Sequence, residues 1–325
     1  MNAVEGAVQA VVAAGGEPAA RLMERLEPRL LEAAGGHGER LARHAGDTIA
    51  AGGKRLRPLL LFLAAGAPPP ESETLLRSAV AVELVHSATL VHDDVLDGSP
   101  LRRGRPTVMA AGGRLAATAT GDLLFSRAFA ELAGTGSVAA VRVLSRASSE
   151  LAAGELMQRA DAWRAVATER YLERCRLKTG VLFRAACELG GLEGEDRERL
   201  PALALFGERI GLAFQLLDDV LDVSGPPERT GKPRGADLLD GTVTLPLILA
   251  RGRDPQLAAL ELRGVDTPER AAEVCARISD TGALEDTRAR ALDLVAGAKA
   301  ELPDLPARQR GALELIADGV VERYS

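Results

Sequence analysis

Six aspartates in two identically spelled runs are the residues most able to do chemistry. Asp93, Asp94 and Asp97 lie in one DDVLD, and Asp218, Asp219 and Asp222 lie in a second. Carboxylates in this pattern suit Mg²⁺, a hard cation that accepts one or two protein carboxylates, keeps waters, and fills its remaining octahedral positions with substrate phosphates. A single acidic run would equally fit a solvated helix end with local Asp–Arg pairs. Two copies, each behind an apolar helical run, favour metal binding.

Cations follow the same logic. The segment Gly52-Gly53-Lys54-Arg55-Leu56-Arg57-Pro58 is a glycine-hinged basic turn, in which glycine allows close approach to a ligand, arginine offers a planar fork for phosphate oxygens and lysine a point charge. Arg102, Arg103 and Arg105 follow the first acidic run within a few residues, more than local neutralisation needs. Lys232 and Arg234 follow the second, in a Gly-, Pro- and charge-rich stretch from Ser224 to Gly241 that reads as a mobile loop. Lys178-Thr179 lies between Leu177 and Val181, where an amphipathic count allows either burial or exposure. Alone it is uninformative.

The elements that position these groups read as helices. Leu75 to Asp97 is apolar, but Glu83, His86, Leu90, Asp93 and Asp97 recur at steps of three and four, so one face carries a polar stripe ending in acid, and Gly98-Ser99-Pro100 stops it. Its acids therefore occupy the negative end of the helix dipole, where each unpaired carboxylate costs on the order of 0.3–1 kcal/mol. A cationic partner is expected. The second run ends a helix closed by Gly225 and Pro226, with Gln215 one turn before its first acid. Further helices are expected over Gly121–Leu132, Val138–Arg164 and Tyr171–Leu189, with starts at Thr244-Leu245-Pro246 and Thr267-Pro268. Residues 1 to about 50 form two or three amphipathic helices broken at Gly15-Gly16 and Gly35-Gly36.

Composition agrees. Alanine and leucine dominate the 325 residues, aromatics reach only 3%, and no period-2 alternation or G-x-G-x-x-G interrupts the helical pattern, so an all-α fold is expected. No linker argues for a second domain, and residues 1–325 are read as one helical bundle with both acid clusters facing a shared central cavity. A net charge of -6 disfavours general nucleic-acid binding. Cys175, Cys187 and Cys275 lack metal-ligand spacing and read as reduced, buried thiols of a cytoplasmic protein. No signal peptide is evident, and segments such as Leu59–Ala65 are too short to span a bilayer.

Taken together, GGKRLRP, ELVHSATLVHDDVLD with RRGRPT, Lys178-Thr179, FQLLDDVLD and GKPRGADLLDG occur in the order of the trans-type isoprenyl diphosphate synthases, the polyprenyl synthetase family, which the chain resembles over nearly its full length. The resemblance implies an all-α homodimer joining isopentenyl diphosphate to an allylic diphosphate. It implies that Asp93, Asp94, Asp97, Asp218, Asp219 and Asp222 hold Mg²⁺, three ions per active site, against the allylic diphosphate. Arg102, Lys178 and Lys232 would neutralise that group. Lys54, Arg57, His86 and Arg103 would bind isopentenyl diphosphate, and Thr179 and Gln215 would lie along the reacting carbons, so that Lys178, Thr179, Gln215 and Lys232 take part in catalysis. One departure is Thr242, where family members often carry lysine after the acid-Gly pair.

In this family bulky residues before the first acidic run shorten the product. Here Ala81, Val85, Ala88 and Thr89 are all modest, which favours a product longer than twenty carbons, with a farnesyl or geranylgeranyl diphosphate synthase as the alternative. A terpene cyclase would not need the second DDVLD or GGKRLRP. A non-catalytic subunit that modifies a partner synthase would be expected to have eroded one acidic run, and neither is eroded here.

Overall fold

The structure, a computed structural model, describes residues 3–194, 197–225 and 234–322. Helices α1 (Ala3–Gly15), α2 (Glu17–Ala34), α3 (Glu39–Ala50), α4 (Leu56–Ala64) and α5 (Glu73–Asp97) lead into a hairpin of β1 (Leu101–Arg102) and β2 (Arg105–Pro106). Then come α6 (Val108–Ala133), α7 (Val138–Asp161), α8 (Thr168–Cys175), a π-helical turn (Arg176–Gly180), α9 (Val181–Leu192) and α10 (Leu200–Ser224). Short helices α11 (Ala236–Leu239), α12 (Leu245–Arg251) and α13 (Pro255–Ala258) precede α14 (Pro268–Ser279), α15 (Ala283–Ala300) and α16 (Ala307–Glu322). Among the described residues the chain is all-α apart from the hairpin, whose strands of two residues each were not anticipated from the sequence.

Two compact units emerge, each discontinuous in sequence. The first comprises Met1–Ser148, Leu182–Gly207 and Leu302–Ile316, and the second Ser149–Val181, Glu208–Glu301 and Ala317–Ser325. In the first, α5 packs against α2, α3, α4 and α6. The Ser72 hydroxyl accepts from the Leu75 N–H to start it, and Gly98 in the left-handed region (φ 64°) ends it. Leucine, valine and alanine surround the helix between those caps, so it is buried on nearly every side. By length and composition α5 and Arg197–Ser224 reach what a bilayer span needs, beyond the expectation from short apolar runs. The most apolar stretch of α5 is nevertheless 72% buried inside the protein, that of Arg197–Ser224 50%.

The second unit has its own core, in which Val220 and Val223 from α10 meet Leu247, Leu257, Val274 and Leu284. Helix α12 begins after Thr244 and α14 after Thr267, whose hydroxyl accepts from Arg270 N–H. Two other expectations need correction. Tyr171–Leu189 is not one α-helix but two, joined through the π turn. Within Ser224–Gly241, residues 236–239 form a helical turn, held by Asp237 N–H donating to Asp222 Oδ2 at 3.3 Å.

Candidate active site

In the first unit the last turns of α5 deliver Asp93, Asp94 and Asp97. Asp94 is buried, Asp93 half-buried and Asp97 exposed. The expected cationic partner is Arg102, whose guanidinium donates to Asp94 Oδ1 at 2.8 Å. The hairpin makes that reach possible. Arg102 pairs with Arg105 across a two-residue turn of Arg103 and Gly104, both left-handed (φ 52° and 74°), the conformation a tight hairpin requires and a non-glycine residue rarely adopts.

Arg103 faces the glycine-hinged turn, where a Cβ added to Gly53 would lie 3.1 Å from Arg103 Nη1. A cavity of about 320 Å³ opens beside it, lined among others by Arg55, His86, Asp94, Arg102, Arg103 and Arg105. Lys54 and Arg57 do not line that cavity. Arg57 instead lays its guanidinium over the Phe183 ring, 4.5 Å from the centroid. Burial pulls its pKa down to about 10, opposed by Glu83 and reinforced by Arg103, so it remains charged at neutral pH.

Arg55, between them, has a structural task. It is left-handed (φ 49°), buried, and ion-paired to Glu27 at 2.5 Å and Glu83 at 2.8 Å, with a further bond to Ile49 O. Removing either carboxylate would leave a buried charge short of a partner.

Burial, then the positive company of Arg57, Arg103, Arg55 and Arg102, holds the His86 pKa well below its ordinary 6.5. The folded chain therefore resists a proton that the unfolded chain accepts, so stability present above 6.5 is lost as pH falls below it. His86→Asn is expected to lose less Tm than the parent chain between about pH 7 and about pH 5, with the difference bounded by about 1.4 kcal/mol per pH unit. Paired thermal melts check this; parallel losses would refute it.

The second unit holds the other acids. Asp218 is exposed and Asp222 half-buried, while Asp219 is buried with both oxygens engaged. Gln215 Nε2 donates to its Oδ1 at 2.8 Å, and the buried Tyr171 hydroxyl donates to its Oδ2. Burial, and next Asp237, push the Asp219 pKa well up, against those two hydrogen bonds. Thr179 Oγ1 donates to Gln215 Oε1 at 2.8 Å, so Thr179, Gln215, Asp219 and Tyr171 form one chain. Lys178 pairs with Glu155 at 2.5 Å. Arg234 is tied to Val223 O and Ser279 Oγ, and Lys232 lies outside the described residues.

Among the described residues no three His, Cys, Asp or Glu side chains converge into a metal cage. Asp93 and Asp97, one helical turn apart, offer hard oxygens of the kind Mg²⁺ accepts, with coordination positions left over for water and phosphate. Glu155, Tyr171 and Phe183 carried no functional signal in the sequence. Only Glu155 had a local one, its i,i+4 spacing to Arg159, and that predicts a surface pair rather than a lysine partner. Ala81, Val85 and Ala88 are buried on α5, and half-buried Thr89 donates its hydroxyl to His86 O.

The chain is 42% identical over 241 residues to heptaprenyl diphosphate synthase component 2 of Geobacillus stearothermophilus, covering 73% of this chain and 75% of that one. It is 36% identical over 295 residues to the geranylgeranyl diphosphate synthase of Methanosarcina mazei, covering 88% and 90%. Its structure matches the crystal structure of a polyprenyl synthase from Caulobacter crescentus complexed with calcium and isoprenyl diphosphate, with a TM-score of 0.90 at 38% identity, over 97% of this chain and 98% of that one. With residues 39–278 also matching the family profile described as polyprenyl synthetase, the chain belongs to that family and is a prenyltransferase joining isopentenyl diphosphate to an allylic diphosphate.

Proposed function

We propose that the chain makes an all-trans polyprenyl diphosphate longer than twenty carbons, as a cytoplasmic homodimer using three Mg²⁺ per active site. The observation that carries the product length is the face of α5 before Asp93, where Ala81, Val85, Ala88 and Thr89 set no large side chain. The Geobacillus relative, named for a heptaprenyl product, supports the same reading, whereas the Methanosarcina relative is named for a geranylgeranyl one. Dimerisation is supported by Leu115 on α6, 85% exposed, and Val138 at the start of α7, 66% exposed. The three buried, unpaired cysteines suit a reducing compartment.

Bound Mg²⁺ offsets the negative charge that builds on the allylic diphosphate as its C–O bond breaks. We assign its protein oxygens to Asp93, Asp97, Asp218 and Asp222. Asp94 and Asp219 orient the site, because Arg102 holds the first and Tyr171 with Gln215 the second. Arg102, Lys178 and Lys232 meet the diphosphate as cations. Lys54, Arg57 and Arg103 receive the diphosphate of isopentenyl diphosphate, and neutral His86 donates a hydrogen bond to it without adding charge. Thr179 and Gln215 flank the reacting carbons. The allylic C–O bond breaks to leave an allylic cation and diphosphate, the isopentenyl double bond attacks that cation to form the C–C bond, and the departing diphosphate takes the proton whose loss restores the alkene. Holding both partners in a dry site converts an encounter into a positioned step and keeps water from the cation.

Incubation with labelled isopentenyl diphosphate, Mg²⁺ and geranyl, farnesyl or geranylgeranyl diphosphate in turn, followed by chromatography of the dephosphorylated products, tests this. Chains beyond twenty carbons are expected; products ending at twenty or fewer would overturn the assignment of length. The intact acidic runs disfavour a non-catalytic subunit.

A further inference from the structure

We propose that Glu155 is a positioning residue that competes with diphosphate for Lys178 and so governs how readily diphosphate leaves. This rests on the reading of Lys178 as a diphosphate-binding cation. The contact is built by the backbone. Gly154 lies against the π turn so closely that a Cβ there would fall 2.8 Å from Leu177 Cβ and 2.9 Å from Lys178 N. Only glycine lets α7 approach that near. The next residue, Glu155, then carries its Oε2 to 2.5 Å from Lys178 Nζ, with the two side chains only 19% and 23% exposed.

What makes this pair exchangeable is its third member. Arg159 Nε donates to Glu155 Oε1 at 3.0 Å, so the carboxylate keeps a cationic partner when the lysine departs. The lysine, a point charge on a flexible four-carbon stem, swings from one anion to another without a rigid fork to align. An empty site thus holds Lys178 on Glu155, and a filled one holds it on diphosphate. Every diphosphate that binds must displace the carboxylate, and the waiting carboxylate favours its departure. Lys178 is thereby kept close at hand, but diphosphate binds less tightly than an unopposed lysine would allow.

The test is calorimetric titration with inorganic diphosphate in Mg²⁺, alongside steady-state kinetics. Lys178→Gln is expected to weaken inorganic diphosphate binding; unchanged binding would sink the reading of Lys178 itself. Glu155→Gln keeps the shape, removes the charge, and is expected to tighten binding roughly fivefold or more, since the lysine is no longer mostly occupied elsewhere. Its KM for the allylic diphosphate and its kcat should both fall, a split that mere loss of packing does not produce. In the Lys178→Gln background the same substitution should change nothing. Should Glu155→Gln fail to fold, Glu155→Asp, which draws the carboxylate back from the lysine, is expected to shift binding in the same direction by less. Unchanged or weaker binding in the folded Glu155 variant, with Lys178→Gln weakening it, would overturn the competition.

Discussion

Asp93→Asn and Asp97→Asn are each expected to lower kcat by about a thousandfold, equivalent to roughly 4 kcal/mol of transition-state stabilisation. Both carboxylates are assigned to Mg²⁺, and the reaction has no side-chain nucleophile to fall back on. Stability should move the other way or not at all. Each acid sits in the last turn of α5, at the negative end of its dipole, so removing a charge relieves about 0.3–1 kcal/mol of repulsion. Turnover with labelled isopentenyl diphosphate, measured beside a thermal melt, separates lost chemistry from lost fold. A loss below tenfold in a protein melting at the parental temperature would assign the metal elsewhere.

Ala88→Phe is expected to shorten the product from beyond twenty carbons to twenty or fewer. Ala88 lies five residues before Asp93, or about 7.5 Å along the helix axis, whereas Ala81 lies twelve before it, about 18 Å away. A ring at the nearer position would meet a growing chain within its first additions. Ala88 is fully buried, so the ring also costs about 1–3 kcal/mol of overpacking. Ala88→Leu, with less excess volume, should give an intermediate length. A product distribution unchanged by Ala88→Phe, in folded enzyme, would place the growing chain along another surface.

Much of the scaffold was legible because it is local. The caps of α5, Ser72 and Gly98, sit beside the apolar run they bound, and the need for a cation near Asp94 follows from the dipole alone. The glycine breaks of the first fifty residues and the starts of α12 after Thr244 and of α14 after Thr267 are equally short-range. Residues whose roles depend on distant partners were illegible. Arg55 and Arg57, two apart in one basic turn, look alike in sequence. Glu27 and Glu83 claim the first, and the Phe183 ring takes the second. Tyr171 is forty-eight residues from Asp219, and nothing in its neighbourhood announces that bond.

The π turn has a consequence of phase. In an unbroken α-helix two turns take about seven residues, so Tyr171 and Lys178 would point the same way. A turn closed by an i→i+5 bond takes one residue more, and two turns become about eight. Tyr171 and Thr179 then share a direction, towards the successive turns of α10 that carry Asp219 and Gln215. Lys178 is rotated away from that direction, onto α7. A lysine and a threonine adjacent in sequence thus address two different helices because of a single inserted residue. Drawing the same residues into ideal α geometry, with none deleted, would exchange their bearings, turning the cation towards α10 and the hydroxyl off it.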